Sequence, residues 1–154
     1  MVYRGHTAKA AALTRLFLTS FPYHGALMAA GERITPDQGL TAARWQVLST
    51  VARADRPEPV ANVARIMGLT RQSVQRTADE LARDGLIVFG PNPHHKRAAL
   101  IHLTDKGRKA FEAITKRQVP WANALAKDLD ADDIETAIAV LTALRGKFEA
   151  KVGE

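Results

Sequence analysis

The stretch ANVARIMGLTRQSVQRTADELARDGLIVFGPNPHHKRAALIHLTDKG, residues 61–107, decides the fold. Its first part reads as two short helices with little between them, VANVARIMG and LTRQSVQRTADELARDG. A helix-turn-helix needs a small residue where the helices touch, a glycine in the turn and apolar anchors on both helices. Ala64 supplies the first, Gly68 the second, and Val60, Val63, Met67, Leu69, Val74 and Leu81 the third. Thr70 is an expected N-cap. Asp84-Gly85 ends the second helix, with glycine free to take the left-handed position and Leu86 as the apolar residue after it. By itself this segment suits an ordinary helical hairpin equally well.

The period changes after Gly85. LIVF (86–89) and ALIHL (99–103) are short β-prone runs, and GPNPHHKRA between them is turn-rich and basic. A small hairpin with Lys96-Arg97 at its tip, following the second helix, is the wing of a winged helix. Recognition helices place their N-terminal residues on base edges in the major groove. Here those residues are Thr70, Arg71, Gln72, Ser73, Gln75, Arg76 and Thr77, nearly all donors or acceptors with reach. Arginine pairs bidentately with guanine and glutamine with adenine, while a wing arginine suits the negative minor groove of A·T-rich DNA. Asn92, Lys96 and Arg97 are the candidate DNA-binding residues of the wing.

Upstream, residues 7–30 read as helical, with Ala11, Leu13, Leu16, Phe17, Leu27 and Met28 near helical spacing. Pro22 is expected to kink or restart that helix. Gly31 and the Pro36–Gly39 region form a loop. A helix follows Thr41 to about Arg53, and Pro57 and Pro59 close it and open the next. Downstream, Thr104-Asp105-Lys106-Gly107 restarts a helix extending to about Asp128 and bent by Pro120. The last helix starts near Asp132 with an apolar stripe of Ile134, Ile138, Leu141, Leu144 and Phe148. The expected fold is therefore mainly α with a small antiparallel β-wing, a winged helix-turn-helix over 41–104 flanked by dimerisation helices at 7–38 and 105–150. The amphipathic flanking helices must bury their stripes, and a twin subunit across a two-fold axis would accept them.

The chain has 154 residues, enough for a sizeable core, and no cysteine, which excludes disulfides, cysteine-ligated zinc and thiol sensing. Its 22 Lys+Arg against 16 Asp+Glu give +6, and residues 41–104 hold nine basic and five acidic residues, so +4 of that excess lies in the winged segment. Such a balance favours a polyanionic partner. No run suits a signal peptide or a membrane span, so a cytoplasmic location is expected. Gly-rich phosphate loops, nucleophile elbows and metal-ligating histidine pairs are missing, and neither an enzyme nor a cofactor is expected. Asp128, Asp130, Asp132 and Asp133 read as helix-start acids. The alternative to a sequence-specific regulator is a winged-helix protein binding nucleic acid without sequence preference.

LTAARWQVL (40–48), ANVARIMGLTRQSVQRTADELARDGLI (61–87) and PNPHHKRAALIHLTDKG (91–107) resemble the multiple-antibiotic-resistance regulator (MarR) family, over roughly residues 8–150. The resemblance implies a helical dimer with a β-wing that binds pseudo-palindromic double-stranded DNA, usually as a repressor, and that small phenolic or lipophilic molecules weaken that binding. By position, Arg97 matches the family's minor-groove arginine and Arg71 to Thr77 its base-reading face. The acidic residue that usually braces the wing arginine is replaced by His95, preceded by His94, so the brace is either missing or supplied from elsewhere. An effector pocket is expected between the dimerisation helices and the DNA-binding module. Phe21, His24, Met28 and Trp45 are candidates for its lining, with plain core packing the simpler role for each.

Overall fold

The computed structural model describes residues 5–35, 39–95 and 97–151, with the backbone alone for Lys151. The chain divides after Thr115 into two compact units.

In the first unit, α1 (Ala8–Ile34) begins at Thr7, whose hydroxyl accepts from the Ala10 amide. The helix is continuous through Pro22, so the expected restart does not occur. One backbone bond is forfeited there, but long helical arms continue on both sides and Pro22 itself is exposed. α2 (Ala42–Arg53) is capped by Thr41, which accepts from the Arg44 amide. The two helices are tied where Glu32 Oε1 accepts from the Ala42 amide at 2.8 Å.

β1 (Glu58–Pro59) leads directly into α3 (Val60–Met67), and α4 (Arg71–Arg83) follows across Gly68 and Thr70. β2 (Ile87–Gly90) and β3 (Leu100–Leu103) start one residue later than the β-prone runs suggest. The sheet is antiparallel with order β1-β3-β2, in register Phe89 with Ile101 and Glu58 with Ile101 on the other side. The wing is thus three-stranded. Its first strand is two residues long and contains proline, tolerated because β1 is an edge.

The core draws on α2 to α4, β2, β3 and the start of the following helix. Val47 and Leu48 from α2, Val63 from α3, Val74, Ala78 and Leu81 from α4, Ile87 from β2, Ile101 from β3 and Ile114 are all buried. Ile114 lies on α5 (Asp105–Ala126), which crosses into the second unit. That unit also holds α6 (Ala131–Lys151), where Asp130 Oδ1 accepts from the Asp132 amide at 2.8 Å. Ile134, Ile138, Leu141 and Phe148 of the expected α6 stripe are exposed and Leu144 is half-buried. Among the described residues, no helix is long and apolar enough to cross a membrane.

Candidate nucleic-acid interface

The turn between α3 and α4 is built by Gly68. Its φ of 66° is left-handed, a conformation a side chain disfavours. The Leu69 amide reaches back to the Ala64 carbonyl at 3.0 Å, closing the end of α3. Two residues on, the Thr70 hydroxyl accepts from the Ser73 amide at 3.1 Å and starts α4. Val74, Ala78 and Leu81 then recur at helical spacing, each fully buried, and anchor one side of α4 in the core. The helix ends as its sequence suggests, with Gly85 at φ 72° and the Leu86 amide on the Leu81 carbonyl at 2.9 Å.

With one side anchored, the opposite side of α4 is set. Arg71, Gln72, Ser73 and Arg76 are exposed, while Gln75 and Thr77 are half-buried. The expected base-reading residues divide accordingly. Thr70 uses its hydroxyl as the cap, and the Thr77 hydroxyl donates back to the Ser73 carbonyl. Arg71 and Gln72 project from the first turn. Gln75 donates to Asp79, and Arg76 pairs with Glu80.

In the wing, Asn92 ties the turn to itself through its side-chain amide. Its Nδ2 donates to the Ala98 carbonyl at 2.9 Å and its Oδ1 accepts from the His94 amide at 3.0 Å. Backbone bonds from the His95 amide to the Asn92 carbonyl and from Ala98 to His95 complete the tip. Asn92 is thus occupied within the wing, whereas Arg97 is exposed. Lys96 lies outside the described residues. A groove between α4 and the wing is lined by Arg71, Gln75, Asn92, His95 and Arg97, with Asp79 on the same wall. Of the residues expected to touch DNA, Arg71 and Gln75 of the helix share this groove with Asn92 and Arg97 of the wing, whereas Thr70, Gln72, Ser73, Arg76 and Thr77 line a second cleft toward α2.

Polar ties hold this surface to the module. Arg44 of α2 forms an ion pair with Asp84 at the end of α4 and donates to the Gly39 carbonyl. Lys106 donates to the Asp84 carbonyl at 2.7 Å. Glu58 joins β1 to α3, accepting from Asn62 Nδ2 at 2.6 Å and from Arg56 Nε at 3.2 Å. The Asn62 hydrogen bond, helped by Arg56, holds the Glu58 carboxyl below its usual 4.5. The Arg44–Asp84 and Lys106–Asp84 ties join residues far apart in the chain, so only the fold brings them together, whereas Glu58 pairs with neighbours two and four residues away.

The expected effector residues are only partly gathered. His24 of α1 and Trp45 of α2 line an open cleft with Gln46, Ser49, Arg53 and Met67. Trp45 also stacks on Phe111 at 5.5 Å between ring centroids, combining lining with packing. Met28 lies alongside, its sulfur accepting from Gln46 Nε2 at 3.2 Å. Phe21 is 70% exposed and outside the cleft lining. Among the described residues, no group of three or more His, Cys, Asp or Glu could hold a metal ion.

A helix-turn-helix with an exposed polar second helix and a basic β-wing defines a winged-helix DNA-binding module. The comparisons with known proteins narrow the class. Residues 38–98 match the sequence model of the MarR family. The Mycobacterium tuberculosis protein Rv2011c is 41% identical over 118 residues, 77% of this chain and 81% of that one. The transcriptional activatory protein BadR of Rhodopseudomonas palustris is 26% identical over 114 residues, 73% of this chain and 65% of that one. Among solved structures, CouR from Rhodococcus jostii RHA1 bound to p-coumaroyl-CoA shares the fold, with TM-score 0.71 at 20% identity over 89% of this chain and 91% of that one. The chain belongs to the MarR family of transcription regulators.

Proposed function

We propose that this protein is a sequence-specific regulator that binds a pseudo-palindromic operator as a homodimer, represses the adjoining promoter and is released by a small phenolic or lipophilic effector. The observation that carries the DNA reading is the exposure of Arg71, Gln72 and Arg76 on α4, with Arg71 lining one groove together with the exposed Arg97 of the wing. One side of α4 is locked in the core, so the readers are presented on a rigid element. The dimer reading rests on apolar side chains exposed on α1 (Leu18, Phe21, Leu27) and α6 (Ile138, Leu141, Phe148), which a second copy would cover. The effector reading rests on the cleft of His24 and Trp45, with Arg53 offering a cation to a carboxylate or phenolate. The ligand in the CouR structure is an aromatic acyl conjugate, in keeping with that chemistry.

The test is selection of bound sequences from random double-stranded DNA at near-physiological salt. A two-fold-symmetric motif with half-sites about ten base pairs apart is expected. Binding without a motif, falling steeply with salt, would favour a non-specific role. A reporter driven from a promoter carrying the selected site should be silenced by the protein; stimulation, as BadR's name implies for that relative, would reverse the repressor part alone.

A further inference from the structure

The exposed side of α4 carries a doubled pattern that base reading alone does not require. Gln75-Arg76 is followed one turn later by Asp79-Glu80. Gln75 Nε2 donates to Asp79 Oδ1 at 2.8 Å, and Arg76 Nε lies 3.5 Å from Glu80 Oε1. Each carboxylate therefore engages the side chain four residues before it, the spacing at which helix neighbours meet. The two acids are neighbours on the helix and line one shallow cleft with Gln72, Gln75 and Arg76, each also bordering a different groove. Asp79 lines the groove toward the wing, and Glu80 lines the one toward α2 with Thr41, Arg44 and Gln72. A helix that only gripped phosphates would be weakened by two acids set against Arg71, Arg76 and Arg83.

The chemistry of the two readers explains the acids. A glutamine reads adenine by accepting from N6 with Oε1 and donating to N7 with Nε2. Turned over, the same amide places its donors toward the acceptors of guanine. With one Nε2 hydrogen committed to Asp79, the amide keeps one sense, leaving Oε1 and the second hydrogen for a base. An unrestrained arginine pairs with any phosphate, which adds affinity without sequence information. Arg76 is 85% exposed and Glu80 is its partner on the helix. Guanine, with two acceptors on one edge, competes for that guanidinium better than a stray phosphate does. A carboxylate brought near phosphate also penalises docking in the wrong register.

We propose that Asp79 and Glu80 are positioning residues that set specificity, Asp79 by fixing the sense of the Gln75 amide and Glu80 by restraining Arg76 from sequence-independent phosphate pairing. This rests on the DNA-binding reading above. The test compares wild type, Asp79→Asn, Asp79→Glu, Glu80→Gln and Asp55→Asn, the last matching the charge change outside α4. Each full-length protein is put through selection from random DNA, and its affinity for the wild-type site and for random DNA is measured over a salt series. Asp79→Asn should broaden one position per half-site from adenine to adenine or guanine, and Asp79→Glu should keep it narrow. Glu80→Gln should tighten random-DNA binding several-fold and steepen its log–log salt slope by about 0.9, one added phosphate contact. Asp55→Asn should do neither. Unaltered motif and salt slope, a uniform change across all sequences, or the same change in Asp55→Asn would overturn the proposal. Failure of wild type to select any motif would overturn the DNA reading itself, and this inference with it.

Discussion

Gly107 sits where a methyl group cannot. A Cβ built there would lie 1.9 Å from the Leu86 carbonyl oxygen, a backbone atom already accepting from the Thr104 amide at 3.1 Å. The Thr104 hydroxyl accepts from the Gly107 amide and lies 2.7 Å from the Gly85 carbonyl, to which it donates. The run Leu103-Thr104-Asp105-Lys106-Gly107 therefore clips the start of α5 onto the end of α4. Gly107→Ala is expected to cost about 1–3 kcal/mol by overpacking, and Thr104→Val about 1–2 kcal/mol through the lost cap and donor. Urea unfolding midpoints check both. Neither substitution touches the exposed side of α4, so DNA preference should be retained in the folded fraction.

Glu58 makes a residue-level prediction with a pH sign. A carboxyl held below 4.5 in the folded state stabilises the fold above that value, and this contribution is lost as pH falls through the lowered value. The stability gap between wild type and Glu58→Gln should therefore be largest near neutrality and shrink below about pH 4.5. Urea midpoints measured from about pH 7 to about pH 3 decide it; a gap constant with pH would show that the Asn62 bond survives protonation of Glu58.

At the scale of elements, α4 has two sides with separable consequences. Leu81 is fully buried, so Leu81→Ala should destabilise the module by about 2–5 kcal/mol through cavity formation. Gln72→Ala, on the exposed side, should leave stability alone and relax base preference at one position per half-site, at about 1–3 kcal/mol. Arg97→Ala should weaken sites with A·T-rich flanks most, because a narrow minor groove attracts the cation. Affinity series on sites varied one position at a time distinguish these; equal loss on every sequence would assign the side chain to phosphate.

The helices and caps of this segment were legible because their signals are local. Thr41, Thr70, Gly68 and Gly85 each act through the backbone within a few residues. β1 was not legible. Two residues, one of them proline, carry no periodicity, and the strand exists only because β3 offers an edge to Glu58 and Pro59. The continuity of α1 through Pro22 runs against a sound local rule, since one missing bond is tolerated in a long helix. The Gln75–Asp79 spacing was readable, but the acids look like ordinary solvated charges until α4's buried side is known.

At the scale of the whole molecule, the proposed homodimer would cover the exposed apolar residues of α1 and α6. Leu141→Asp should shift the protein from dimer to monomer in sedimentation equilibrium and weaken operator binding about 100-fold or more, since the second half-site then binds without tethering. A dimer that persists in Leu141→Asp would move the interface away from α6.

The sequence by itself determined the order of helices, their caps, the polar make-up of α4 and the basic wing, because those features are written in spacings of a few residues. Tertiary structure alone decided which polar side chains of α4 are exposed, that Asn92 ties the wing turn, that Arg44 meets Asp84, and that His24 and Trp45 share a cleft while Phe21 stands apart. These depend on residues far apart in the chain brought together by burial of Val74, Leu81 and Ile101, and no local pattern encodes that distance.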